Sequence, residues 1–153
     1  MLSRLHRLVD EIGALHSKLI LLIGPPRCGK TALLDALAHS SAAVPLGVGL
    51  ELGKQLAAVP QKQRHLQAAT LLRELADRRT KDDLLLIDNI ELLFDRSLML
   101  DPLDLLKRLA RTRKVVAVWP GEWRNGRLTY AEVGHPDQRD YGAEGWVPFE
   151  LQP

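Results

Sequence analysis

The chain has 153 residues, a net charge of +2 and a single cysteine, and each of these values excludes a class of protein. The length suits one domain with its own core, because a chain of about 150 residues buries roughly 70% of its unfolded surface. One cysteine excludes a disulfide framework and a cysteine-based zinc site within the chain. The mild charge is unlike that of a nucleic-acid coat protein. We therefore expect a single domain over residues 1–153 in a reducing compartment.

Residues 1–17 predict an amphipathic helix. Leucine, valine and isoleucine recur at helical spacing from Leu2 to Leu15, and charged side chains interrupt them. The segment is too polar for a signal peptide or a membrane-spanning helix. We expect no membrane contact.

The most specific pattern of the chain is GxxxxGK[ST], which begins at Gly24 and ends at Thr31. The apolar run before it, residues 18–23, predicts a buried strand, and residues 32–38 predict a helix. A strand, a glycine loop and a helix in this order are typical of a phosphate-binding loop, or P-loop. Backbone N–H groups and the positive end of the helix dipole attract a phosphate there. The pattern predicts ATP as cofactor.

Residue types within the loop predict how ATP and Mg²⁺ are held. Pro25 and Pro26 have no N–H, so the backbone donors follow them. Gly29 lets the backbone approach the phosphates, Lys30 reaches the β- and γ-phosphates, and the Thr31 hydroxyl binds Mg²⁺. The predicted cofactor-binding residues are Gly24, Pro25, Pro26, Arg27, Cys28, Gly29, Lys30, Thr31 and Ala32.

Helices and strands alternate in the next part of the chain. Residues 44–48 predict a second strand, residues 51–59 a short helix, and residues 61–79 a long helix. The expected buried face of the long helix consists of Leu66, Ala69, Leu72, Leu75 and Ala76.

Two more apolar strands are predicted, at residues 84–87 and 114–119. Between them, Asp101, Pro102 and Asp104 indicate the start of a helix by capping, with Leu105, Leu106 and Leu109 on its buried face. Strands that alternate with helices predict a parallel sheet covered on both faces.

Residues 84–87 followed by Asp88 resemble the Walker B strand of P-loop NTPases, whose Asp helps to hold Mg²⁺. The spacing from Lys30 is that of the AAA+-like branch. This resemblance implies an α/β fold, a three-layer α/β/α sandwich with a mostly parallel sheet and an AAA+/ASCE-like core. It places residues 114–119 at the sheet centre and makes Thr31 and Asp88 the metal ligands.

Three departures from that pattern favour binding over fast hydrolysis. Asn89 stands where active members carry a glutamate that polarises the attacking water, and an amide cannot act as a general base. Glu91 is the nearest substitute. The strand at residues 114–119 ends in Trp119, where a polar sensor of the γ-phosphate is usual. No helical lid is predicted after this strand. The predicted catalytic residues are Lys30, Asp88, Asn89 and Glu91.

Residues 120–153 predict a tail of strands and turns, with an exposed or edge strand at residues 127–133. Most aromatic residues of the chain lie in or next to it, namely Trp119, Trp123, Tyr130, Tyr141, Trp146 and Phe149. Two interpretations are open. The tail packs as a hairpin over the sheet, or it forms a surface that stacks bases or binds a partner protein.

A run of five cations lies just before the last strand, at Lys107, Arg108, Arg111, Arg113 and Lys114. Such a run could contact DNA phosphates or present an arginine finger to the nucleotide of a neighbouring subunit. A solvated helix end, whose cations complement the helix dipole, is the alternative.

Longer stretches resemble the BrxF family, the small P-loop proteins of type 3 BREX bacteriophage-defence systems. They are residues 84–94 (LLLIDNIELLF), 101–106 (DPLDLL), 115–119 with Gly121, and 128–141 (LTYAEVGHPDQRDY). The resemblance implies a bacterial cytoplasmic protein that works beside other BREX components. It assigns no reaction.

Together these observations favour an ATP-binding regulatory or assembly subunit, able to form homo-oligomers, with weak or partner-stimulated hydrolysis. Two alternatives stay open. One is a small-molecule kinase with Arg124 and Arg127 on a lid, and the other is a scaffold that binds nucleotide without hydrolysing it.

Overall fold

A computed structural model describes residues 1–15, 18–130, 139–141 and 145–152. Residues 131–133 of the predicted edge strand, and most of the 128–141 stretch, lie outside the described residues. The helices are α1 (Leu2–Glu11), α2 (Lys30–Ser40), α3 (Val48–Ala57), α4 (Arg64–Arg79) and α5 (Pro102–Leu109). The strands are β1 (Leu19–Ile23), β2 (Leu46–Gly47), β3 (Leu84–Asp88), β4 (Lys114–Val118), β5 (Glu122–Arg124), β6 (Arg127–Tyr130), β7 (Arg139–Tyr141) and β8 (Val147–Glu150).

The central sheet has five parallel strands in the order β2–β3–β4–β1–β8. This confirms the predicted parallel sheet and the central position of β4. Because β4 pairs with β1 on one side and β3 on the other, their carboxyl ends meet at one edge of the sheet. That edge carries the loop after β1, Asp88 at the end of β3 and Trp119 after β4.

Helices cover both faces of the sheet, as the three-layer prediction requires. Alternate side chains of β1 point to opposite faces, so Leu19 and Leu21 join one core cluster and Ile20 and Leu22 the other. The first cluster packs against α3, α4 and α5, and the second against α1 and α2. In the part of the chain that the structure describes, no helix is long and apolar enough to cross a membrane.

The prediction of a strand at residues 44–48 is wrong at both ends. Only Leu46 and Gly47 pair with β3, and Val44 is exposed. The Gly47 N–H donates to the Glu51 carboxylate at 3.0 Å, which helps α3 to begin at Val48. The strand is cut short because the helix starts inside the predicted range.

Two predicted helix faces also need correction. On α4, Leu66 and Ala69 are exposed and Ala68 is buried, so the buried face is rotated from the expected one. On α5, Leu105 is only half-buried and Leu103 is buried. The predicted start of α5 is confirmed, since the Asp101 carboxylate accepts the Asp104 N–H at 3.1 Å.

After β4 the chain forms two structures that the sequence did not separate. Strands β5, β6 and β7 make an antiparallel sheet of their own, and β8 returns to the central sheet beside β1. A strand is confirmed in the described part of residues 127–133, but the edge position is wrong, because β6 pairs with β5 on one side and with β7 on the other. Between β5 and β6, Asn125 and Gly126 both have positive φ, at 51° and 73°, as a two-residue type I′ hairpin turn requires.

Candidate functional site

The loop between β1 and α2 has the geometry of a phosphate cradle. Gly29 adopts φ +98° immediately before α2, and no side chain caps the first N–H groups of that helix. A Cβ on Gly29 would meet nothing within 4 Å. The helix N-terminus therefore presents open backbone donors, which the helix dipole makes attractive to an anion. The chemistry of this cradle suits phosphate oxygens.

Gly24 lies where the loop touches the last strand. A Cβ here would lie 2.8 Å from the Leu151 carbonyl oxygen and against the Cys28 sulfur. The Leu151 N–H donates to the Ile23 carbonyl at 2.7 Å, so β8 continues to hold the end of β1 as the loop begins. Leu151 contributes to the shape of the loop, and sequence reasoning missed it.

Lys30 joins the loop to the central strand. Its ammonium donates to the Gly24 carbonyl at 2.8 Å and to the Trp119 carbonyl at 3.2 Å. An ammonium has three N–H donors, so these two contacts leave one for a phosphate oxygen. Lys30 thus lies between the phosphate loop and the end of β4.

Thr31 and Asp88 are the predicted ligands of Mg²⁺. Thr31 is exposed in the first turn of α2, and Asp88 is 8% exposed at the end of β3. One Asp88 oxygen accepts the Asn89 N–H at 2.8 Å. The described residues contain no cluster of three metal-ligating side chains. One carboxylate and one hydroxyl fit Mg²⁺, which keeps waters and phosphate oxygens as its other ligands.

Asn89 occupies a position that has its own backbone requirement. Its φ is +55°, a left-handed conformation that asparagine tolerates better than most residues. Its carbonyl accepts the Gly49 N–H at 3.0 Å, which ties the end of β3 to the start of α3. An asparagine here suits the turn as well as the site.

Glu91 lies on a 3₁₀ turn, Ile90–Phe94, and is exposed. It lines a cavity of about 510 Å³ together with Asp95 and Tyr130. This cavity is bounded by the 3₁₀ turn and β6. Glu91 is therefore a member of a second concave surface as well as the nearest carboxylate after Asp88 along the chain.

Trp119 replaces the polar sensor with a buried aromatic anchor. Its side chain is 0% exposed, its indole N–H donates to the Thr129 carbonyl at 2.9 Å, and the Phe94 ring meets it edge-on at 5.4 Å. The Phe94 ring in turn stacks on Tyr130 at 3.8 Å. Sequence reasoning missed Phe94 and Thr129 as partners of this strand end.

The other described aromatic residues of the tail also pack inward. Trp146 and Phe149 are buried, and Trp123 is half-buried with its ring edge-on to Trp146 at 4.9 Å. Trp123 lies in the β5–β6 hairpin, in agreement with the hairpin interpretation, whereas Phe149 lies in β8 of the central sheet and Trp146 directly precedes that strand. The side chain of Tyr141 lies outside the described residues.

In the basic run at residues 107–114, whose last residue begins β4, Arg108 and Arg113 are held by carboxylates. Arg108 pairs with Asp104 at 2.8 Å, and Arg113 pairs with Asp77 at 2.9 Å. The Arg113 side chain is only 12% exposed and also donates to the Leu109 carbonyl. Arg113 therefore braces the end of α5 against α4.

These features together define an α/β nucleotide-binding domain of the P-loop class. The family model described as "ATPase family associated with various cellular activities (AAA)" matches residues 20–114. The chain belongs to this AAA family. Comparison with curated protein sequences gave no match.

Solved structures with the same fold cover nearly the whole chain. A DNA replication initiation factor has a TM-score of 0.53 and 17% identity, over 97% of this chain and 44% of its own. AMPPCP-bound DnaA from Aquifex aeolicus has a TM-score of 0.52 and 16% identity, over 97% of this chain and 44% of its own. PCH-2 from C. elegans has a TM-score of 0.50 and 20% identity, over 99% of this chain and 42% of its own. The chain spans less than half the length of these proteins, and at such identities the likeness is one of fold.

Proposed function

We propose that this chain binds ATP with Mg²⁺ at the loop after β1 and acts as a nucleotide-dependent regulatory or assembly subunit of a bacterial BREX phage-defence system. The observation that carries ATP binding is the position of Lys30, between the open N-terminus of α2 and the end of β4. The BREX assignment depends on the sequence resemblance of residues 84–94, 101–106, 115–119 and 128–141. Its partners are other BREX components in the cytoplasm.

Each site residue has a distinct task in binding. The N–H groups at the start of α2 bind phosphate oxygens, and the third donor of Lys30 adds a charge-assisted bond. Thr31 and Asp88 hold Mg²⁺, which when bound neutralises the charge of the β- and γ-phosphates. These residues account for binding of the phosphates and Mg²⁺.

Hydrolysis is slow or depends on a partner in this proposal. The Asn89 amide orients a water but cannot accept its proton. The Trp119 side chain is buried, and its indole N–H donates to the Thr129 carbonyl. This N–H is therefore not directed at the γ-phosphate. A switch that responds to ATP and ADP differently needs only a difference in affinity between two conformations. A second copy of the chain or another BREX component then binds one of the two conformations more tightly than the other.

Light scattering coupled to size-exclusion chromatography tests the proposal. Wild type, Lys30→Ala and the matched control Lys62→Ala are compared without nucleotide, with ADP and with AMPPCP, alone and with BREX partners. Lys62 is exposed in the segment before α4. We expect assembly to change with AMPPCP in wild type and Lys62→Ala, and not in Lys30→Ala. Absence of nucleotide binding, or of any change in wild type, would contradict it.

A small-molecule kinase is the second candidate, because Arg124 lines a cavity of about 280 Å³ together with Gly24 and Pro25 at the base of the loop. Arg124 also pairs with Glu122 at 2.9 Å in the same strand. Transfer of the γ-phosphoryl group to a metabolite, lost on Arg124→Ala, would favour this candidate over the scaffold and the switch.

A further inference from the structure

The contacts of Trp119 reach from the phosphate loop to the separate sheet of β5, β6 and β7. We propose that Trp119 positions Lys30 for the phosphates and couples the nucleotide site to this three-stranded sheet. The inference rests on the proposed function for its ligand, Mg·ATP. It adds a positioning residue and a surface that responds to nucleotide.

The first link joins Trp119 to Lys30 through the main chain. The Trp119 carbonyl accepts one N–H of the ammonium, and the Gly24 carbonyl accepts a second. Two fixed acceptors leave the third donor a narrow range of directions. A displacement of the Trp119 carbonyl therefore moves the donor that faces a phosphate oxygen.

The second link fixes that carbonyl through the side chain of the same residue. The indole N–H donates to the Thr129 carbonyl, and the ring is fully buried against Phe94. The Trp119 backbone N–H donates to the Leu22 carbonyl at 2.9 Å, which anchors its other side to β1. The indole of Trp119 thus supplies both the buried ring and the N–H donor.

The third link spreads the contact over the three-stranded sheet. Thr129 lies in β6 and pairs with Glu122 of β5. A Cβ on Gly121 would overlap the Thr129 carbonyl, so the chain after β4 passes directly against β6. Tyr130, the next residue of β6, stacks on Phe94. Lys30 and β6 are thus connected through one residue.

Energetic coupling between two sites is reciprocal. If a nucleotide on Lys30 changes the free energy of the three-stranded sheet, then a partner bound to that sheet changes nucleotide affinity by the same factor. A change that stabilises or destabilises this sheet should therefore also change the affinity for nucleotide.

Two conservative variants separate coupling from packing. Trp119→Phe and Trp146→Phe each replace a buried indole by a ring without an N–H, but only Trp119 donates to Thr129 and carries the carbonyl that holds Lys30. The measurements are calorimetric affinity for Mg·AMPPCP and for ADP, and hydrogen exchange of residues 122–130 with and without Mg·AMPPCP.

We expect Mg·AMPPCP to slow exchange of residues 122–130 in wild type and in Trp146→Phe. In Trp119→Phe this response should vanish, and affinity for Mg·AMPPCP should fall about fivefold, the effect of one hydrogen bond. A loss of thermal stability alone does not distinguish the variants. If Trp119→Phe responds as Trp146→Phe does, the inference is overturned while ATP binding stands.

A test without nucleotide covers the case in which Trp119→Phe does not fold. Lys30→Ala leaves the Trp119 carbonyl without its ammonium, so exchange of residues 122–130 should become faster than in Lys62→Ala. Equal exchange in the two lysine variants would overturn the coupling. If wild type binds no Mg·AMPPCP, the proposed function fails, and this comparison still decides whether Lys30 and the sheet are coupled.

Discussion

Gly24 and Gly29 belong to the same loop and need glycine for different reasons. A Cβ on Gly24 has no room beside the Leu151 carbonyl, whereas Gly29 has room but a left-handed φ. We predict that Gly24→Ala costs about 1–3 kcal/mol of folding free energy through overpacking. Gly29→Ala should cost roughly 1 kcal/mol and lose more nucleotide affinity, because φ at Gly29 directs the donors that follow. Thermal melts and AMPPCP titrations measure the two effects.

Gly53→Ala is the matched control for that prediction. Gly53 lies inside α3, and a Cβ there would meet only Leu92 at 4.0 Å. Alanine stabilises a helix interior by roughly 0.5–1 kcal/mol relative to glycine, so the melting temperature should rise. Gly24→Ala with a melting temperature equal to wild type would refute the steric explanation.

Asn89 shows the limit of interpretation by residue type alone. From the sequence, Asn89 is notable because active P-loop NTPases carry a glutamate at this position. The structure adds its φ of +55° and its carbonyl bond to Gly49. Backbone conformation of a single residue has no signature in a pattern of side chains, except that asparagine is tolerated there.

At the scale of elements, β8 is an edge strand that carries its own protection. The Leu151 N–H faces β1, and because successive N–H groups of a strand alternate in direction, position 148 faces the open edge. Pro148 has no N–H to offer another chain there. We predict that Pro148→Val leaves the melting temperature nearly unchanged and increases aggregation, measured by light scattering during incubation.

Pro60→Val is the control for the edge-strand prediction. Pro60 is exposed in the connection before α4 and lies outside every sheet. It should not change the scattering. A Pro148→Val protein that stays as soluble as the Pro60→Val protein would show that this edge needs no such protection.

The elements that sequence predicted well are those with local signals. The loop at residues 24–31 and the start of α5 depend on a few adjacent residues, and both are formed as expected. The β8 pairing with β1 joins residues far apart in sequence, so no local pattern reports it. The β5–β6 hairpin is different, because the dipeptide Asn125–Gly126 is a recognised hairpin signal that locates the turn of a hairpin in the tail. The contacts of Trp119 with Lys30 and Thr129 also join residues far apart in sequence, and no local pattern predicts them.

At the scale of the whole molecule, charge is nearly balanced, and the basic run before β4 is partly used inside the fold. The net charge is +2, and Arg108 and Arg113 are held by Asp104 and Asp77. The run therefore cannot offer all five of its cations to DNA. Each phosphate contact contributes about −0.9 to the slope of log K against log salt, so we predict a slope shallower than roughly −4.5.

Fluorescence anisotropy with a labelled DNA duplex, between about 50 and 200 mM salt, measures this slope. Arg111 is exposed in the run, and Arg7 is exposed on α1. Arg111→Ala should remove one phosphate contact and make the slope shallower by about 0.9. Arg7→Ala should leave the slope unchanged. A slope of roughly −6 or steeper in wild type would require more phosphate contacts than the run supplies, and it would place the DNA surface elsewhere on the molecule.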